Sequence, residues 1–253
     1  MTSKPPAPDT PAAPTRSRAR PTHRKGRATL TRESVGEAAL DHLGRHGPAE
    51  LTMRSLAADL GVSPRALYNY VEDRRDLLTV AAEIFEARWQ PPALDPSPER
   101  WRDSLRAYCR DLRAHYRRHP GMTTLALNEN ITTARHPAML RNVDAVIGFF
   151  TELEGTGLPL RDAYLACMDS LRQVVGFVEF QDRLHDRPPP HLDPVDLRRT
   201  PPPWLRDDGQ SPEDLPHLHR AARELRPEPP DALFEFTLDL LVEGIAARVE
   251  AAR

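Results

Sequence analysis

The chain has only two cysteines in 253 residues, no extended apolar run and no sustained strand-like alternation. Cys109 and Cys167 both fall in mixed, helix-like segments. They read as two buried free thiols in a reducing compartment, although sequence leaves a pairing between them open. No stretch approaches the roughly 18 apolar residues of a membrane span. The opening MTSKPPAPDTPAAPTRSRARPTHRKGR lacks the apolar centre of a signal peptide. A soluble cytoplasmic protein is expected. Nucleophile-elbow, phosphate-loop and zinc-protease patterns are also missing, which argues against an enzyme and offers no metal or cofactor site. Without period-two patterning the class is all-α. Proline is not scarce: the 27 prolines cluster, and the clusters mark boundaries.

The net charge of −2 conceals an asymmetry. Residues 1–75 hold 13 Lys+Arg against 8 Asp+Glu, and the remainder holds 22 against 29. A basic head on an acidic body points to a polyanionic partner for the head. Residues 1–29 are too poor in large apolar side chains to build a core and should be disordered. Their Arg16, Arg18, Arg20, Arg24, Lys25 and Arg27 form a basic arm that either touches phosphate or is merely solvated. A head at 30–75 and a helical body at 76–253 follow. Twelve prolines between 186 and 230 make a loop there, with room for one short helix near 212–225.

Helix punctuation begins at Thr31, which can cap a helix carrying Val35, Ala39 and Leu43 four apart, closed by Gly47. Thr52 caps a second helix with Met53, Leu56, Ala57 and Leu60 inward, stopped by Gly61. Ser63-Pro64 opens a third, short one with proline at its first position. Asp73 caps a fourth that carries Leu77, Leu78, Ala81, Ile84, Phe85 and Trp89. Longer patterns run at about 99–118, 136–154, 160–183 and 230–251.

Two short helices across a tight turn, from Thr52 to Val71, make a helix-turn-helix. Leu56, Leu60, Val62, Leu67 and Val71 should pack inward. Arg65, Tyr68 and Asn69 are left on one outward face. Arginine can read guanine and asparagine adenine through paired hydrogen bonds. Tyr68 and Tyr70 offer hydroxyls to phosphate, and Arg54, Arg74 and Arg75 stand close enough to reach it.

The run LTMRSLAADLGVSPRALYNYVEDRRDLL resembles the DNA-binding domain of TetR/AcrR family regulators, over about Thr31 to Phe85. The resemblance implies DNA contacts from Arg54, Pro64, Arg65, Ala66, Tyr68, Asn69 and Arg74. Ser63 and Tyr70 complete the candidate set, Tyr70 standing where many members carry histidine. HPGMTTLALNENI, the Gly157-Leu158 turn, GFVEFQDR and FEFTLDLLVEGIAARVE are similar to the C-terminal domain of the tetracycline-repressor subgroup. That subgroup holds its drug as a magnesium complex through histidine and acidic residues. Arg172 stands near the position of a pocket histidine, so neither a metal site nor tetracycline specificity is carried over.

The body should hold a small hydrophobic or drug-like effector between helices. Asn128, Asn130, Phe149, Met168, Arg172 and Phe177 are its candidate lining. Phe234, Leu238, Leu241, Ile245 and Val249 form one core stripe, and Leu165, Met168, Leu171 and Val175 another. Phe177, Val178, Phe180, Leu233, Phe236 and Leu240 add a second apolar face, which needs a second partner. The resemblance implies a homodimer through the 160–183 and 230–251 helices, reading a palindromic operator of double-stranded DNA. His115 and His119 have metal-ligand spacing but no third ligand, and are expected on an arginine-rich surface. The expected function is a ligand-released repressor. An activator, or a small-molecule carrier without a DNA role, remains the alternative.

Overall fold

The computed structural model describes residues 30–133, 135–188 and 214–253. The basic arm and most of the proline-rich loop lie outside the described residues. The described residues of 31–253 form one compact unit built of helices, with no strand among them. No described helix is long and apolar enough to cross a membrane.

Helix α1 (Arg32–His46) starts where Thr31 accepts a bond from the Ser34 amide at 3.0 Å, while Ser34 Oγ accepts from the Thr31 amide at 2.8 Å. Thr52 and Ser55 repeat this reciprocal cap for α2 (Met53–Asp59). Each pair satisfies donors that a helix end otherwise leaves bare. After a 3-10 turn at Pro48–Glu50, the chain enters α2 through fully buried Leu51. Gly61 then takes φ +61, the left-handed backbone of the tight turn before α3 (Pro64–Leu67). Ser63 sits at the N-cap of α3, but its hydroxyl makes no capping bond.

Helix α4 (Arg74–Arg88) is capped by Asp73, which accepts from the Asp76 amide at 2.8 Å. It packs along α1 at Gly36, where a Cβ would stand 2.4 Å from Val80 Cγ1. Val35, Leu40, Leu43, Leu56, Leu67 and Leu77 close the head core with no exposed surface.

The body comprises α5 (Trp101–Arg118), α6 (Leu125–Asn128), α7 (Pro137–Glu152) and α8 (Leu160–Phe177). A π-helical turn at Val178–Asp182 carries α8 into α9 (Arg183–Asp186). Then come α10 (Pro216–Glu224), within the window expected for a short helix, and α11 (Pro230–Ala251). Asp182 on the π turn receives two bonds from Arg113 of α5, at 2.7 and 2.8 Å. The same guanidinium lies over the rings of Phe177 and Phe234. This buried pair keys the end of α8 to α5 and α11 by charge, where apolar packing alone would allow it to slide.

The stripe expected on α11 is the buried one: Phe234, Leu238, Leu241, Ile245 and Val249. On α8 the expectation needs correction. Its buried row is Ala163, Cys167, Ser170, Val174 and Val178, and Leu165 is half exposed. Ser170 turns inward by donating to the Ala166 carbonyl at 2.7 Å, so a polar residue replaces an expected apolar one. Val178, placed on the outer face by sequence, is core, and Phe177 packs edge-on against Phe234.

Candidate nucleic-acid interface and ligand cavity

Helix α3 is only four residues long, so its orientation depends on anchors. Leu67 is fully buried and Val71 nearly so, which pins one face against α2. The opposite face is then forced outward: Ser63, Pro64, Arg65, Tyr68 and Asn69 are exposed, and Ala66 and Tyr70 are partly so. Tyr68 leaves 56% of its surface in solvent. A bare aromatic beside a free arginine is a poor surface for an isolated protein and a good one against sugar-phosphate and base edges. Arg54, exposed on the first turn of α2, stands on the same head.

Sequence reasoning missed what holds the third helix in place. Arg32 donates to both oxygens of Asp76 at 2.6 and 2.8 Å, and also to the Tyr70 carbonyl at 2.7 Å. The Arg32 guanidinium holds the Asp76 carboxyl below its usual range. One arginine thus fastens the end of the reading segment to the starts of α1 and α4.

Arg74 is not free for phosphate, contrary to expectation. Its guanidinium donates to Glu129 Oε2 at 2.6 Å and Oε1 at 2.8 Å, to the Pro48 carbonyl at 2.7 Å and, through Nε, to the Leu51 carbonyl at 2.7 Å. The fork geometry of arginine matches a carboxylate, and that match is satisfied within the chain. Glu129 lies 55 residues away, just after α6, so no local pattern could announce the pairing. Arg75 reaches only the Asn130 carbonyl, at 3.5 Å, and remains exposed.

The segment that holds Arg74 also walls a cavity. Ile131, Thr132 and Thr133 join α4, α6, α7 and α8 around a cleft of about 530 Å3. Phe85 and Glu86 floor it, with Tyr116, Met139, Leu171 and Val175 among the walls. A small enclosed chamber of about 20 Å3 continues beneath, lined in part by Trp89, Tyr108, His115 and Asn142. Met168 and Arg172, expected as lining, do line the cleft. The other four candidates fall elsewhere. Phe149 faces a separate cavity toward Pro91–Pro96, Phe177 is taken up by Phe234 and Arg113, and Asn128 and Asn130 point to solvent. Asn130 carries a positive φ of 52° at the corner after Glu129.

His115 is buried, not on the surface as its arginine-rich neighbours suggested. Its ring stacks on Phe85 at 4.0 Å and lies near parallel to Trp89 at 5.7 Å. Burial pushes its pKa down to about 4. Glu86 is also buried, accepts one bond from Thr133 at 2.8 Å, and has its pKa raised by desolvation. Both cysteines are buried free thiols, raised by burial to about 12 for Cys109 and about 11 for Cys167.

A pinned short helix with a free arginine, tyrosine and asparagine marks a helix-turn-helix DNA-binding regulator. The family follows from comparison with known proteins. Residues 37–86 match the model for bacterial regulatory proteins of the tetR family, and residues 95–249 match that for the tetracyclin repressor-like C-terminal domain. The chain belongs to the TetR family and is a transcriptional regulator of that ligand-responsive class. It is 32% identical over 165 residues to the tetracycline repressor protein class D of Escherichia coli, covering 64% of this chain and 72% of that one. It is 38% identical over 92 residues to the transcriptional repressor DrrR1 of Streptomyces coeruleorubidus, covering 36% of this chain and 34% of that repressor. The fold is shared with Streptomyces coelicolor ActR in complex with actinorhodin, at TM-score 0.67 and 22% identity over 88% of this chain and 99% of that one.

Proposed function

We propose that the protein is a repressor that binds a palindromic operator as a homodimer and is released by a small molecule entering the α4–α8 cleft. The observation that carries this reading is the outward face of α3, where Arg65, Tyr68 and Asn69 stand exposed around a buried Leu67. Dimerisation is supported by a second apolar surface. Leu160, Phe180, Phe236 and Leu240 are between 62% and 75% exposed on α8, its π turn and α11. A two-fold pairing of these helices would set two reading segments about one turn of DNA apart, roughly 34–36 Å.

Release follows from the wall that cleft and head share. Thr133 touches Glu86 in the cleft, and four residues earlier Glu129 holds Arg74 at the start of α4. A ligand that repositions 129–133 therefore changes what Arg74 can hold, and Arg74 also braces Pro48 and Leu51 in the head. Such a ligand shifts the balance between two head arrangements by its differential affinity, typically about 1–3 kcal/mol.

Selection of bound sequences from random DNA tests the first half. Two-fold repeats about one helical turn apart are expected, and a failure to enrich any sequence overturns the reading. For the second half, Glu129→Gln should still bind the selected operator but respond less to ligand. An unchanged response would remove this segment from the mechanism.

A further inference from the structure

We propose that the effector is a lipophilic organic cation whose positive charge is received by the Glu86 carboxylate on the floor of the cleft. The inference rests on the reading of that cleft as the ligand site and goes further by naming the ligand's chemistry. Glu86 is 5% exposed, and among the described residues the one hydrogen-bond partner of its carboxyl is the Thr133 hydroxyl. Elsewhere in the described body, the other buried carboxylate, Asp182, is answered by Arg113, and the part-buried Glu154 by Arg102. Glu86 has no such answer. The cleft's arginine, Arg172, is exposed on α8 and leans toward Asp169 at 3.4 Å.

A buried carboxyl without a counter-charge is costly and its pKa rises, and such a group on the floor of a cleft is a candidate receiver for a ligand's charge. The surroundings favour the same visitor. Phe85, Tyr116 and Trp89 supply ring faces around the floor, which attract a cation and accept an apolar body. The His115 Nε2 atom in the lower chamber is buried with no hydrogen-bond partner. Its ring is held neutral, so in the Nδ1–H tautomer the bare Nε2 is a second acceptor. Carboxylate, imidazole nitrogen and π faces all ask for N–H donors with positive charge. A cleft of about 530 Å3 admits a fused-ring or similarly bulky frame.

The titratable and charged groups that line the chamber and cleft with Glu86 are Tyr108, His115 and Tyr116 of α5 and Tyr164, Cys167 and Arg172 of α8, beside the Thr133 hydroxyl. Tyr108 and Tyr116 are shifted further from neutrality by burial, and His115 stays uncharged down to about pH 4. Loss of cation affinity on mild acidification therefore belongs to Glu86, whose own pKa is raised.

The test uses the full chain without DNA and two fluorescent probes of one shape, 9-(aminomethyl)anthracene, a cation at neutral pH, and 9-anthracenemethanol, which is neutral. The amine is expected to bind about tenfold tighter or more, and E86Q to remove that preference while leaving the alcohol within about twofold. Equal affinity of the two probes for the native chain, absence of binding by both, or equal losses for both in E86Q each overturn the proposal. Should E86Q fail to fold, the native chain decides: amine affinity must fall as pH drops toward the raised carboxyl pKa while alcohol affinity holds, and parallel curves overturn it. Operator binding on the same preparations separates the two readings. Glu86-dependent amine binding without any change in operator occupancy sinks the repressor reading alone. Release by neutral compounds without a preference for the amine sinks the cation alone.

Discussion

Arg65 carries the sharpest consequence among single residues. It is exposed at the start of a helix whose amides also favour an anion, and no partner among the described residues holds its guanidinium. Arg65→Ala should cost about 1–3 kcal/mol of discrimination between the operator and a single-base variant. Competition gel shifts at fixed salt read this directly, and a uniform loss across sequences would mark a phosphate contact instead. His115 yields a pH effect with a definite sign. The unfolded chain takes up this proton near pH 6.5 and the folded chain only near 4. Between those values the unfolded state binds more protons, so stability falls as pH falls, by at most about 1.4 kcal/mol per unit. Urea midpoints should drop across that window in the native chain and drop less in His115→Gln.

Elements were legible where their signals are local. Thr31, Thr52 and Asp73 cap the helices that sequence assigns to them, because a cap needs only a hydroxyl or carboxylate three residues before an amide. Leu67 inward with Arg65, Tyr68 and Asn69 outward is equally local, set by helical spacing. The misplaced residues depend on partners far along the chain. Arg74 looked like a phosphate contact because Glu129 is remote, and His115 looked superficial because Phe85 and Trp89 arrive from another helix. The α8 stripe was misassigned for a related reason: a cleft wall and a core wall are both apolar, and only the neighbouring helices decide which is filled. Packing of α1 on α4 gives a prediction at this scale. Gly36→Ala places a methyl against Val80 and Ile84, and should destabilise by about 1–3 kcal/mol through overpacking, seen as a lower urea midpoint at unchanged slope.

For the whole molecule, the apolar surface on α8 and α11 should govern assembly and DNA binding together. Phe236 is 64% exposed, so Phe236→Asp costs little within one chain but sets two buried charges against each other in a pair. Sedimentation should show monomers, with operator affinity reduced roughly a hundredfold or more once the two heads act separately. A folded dimer that keeps full affinity would move the contact elsewhere. Trp89, finally, gives the chain its own optical readout. Its indole donates to Asp111 at 2.6 Å and its ring borders the lower chamber, whereas Trp101 is sealed in the body and bonded to Glu154. A guest that settles on that floor meets one of the chain's intrinsic fluorophores directly. Occupancy should therefore appear as quenched or shifted emission without any label, and Trp89→Phe, which keeps a ring on that floor, should silence the signal and weaken the guest's binding.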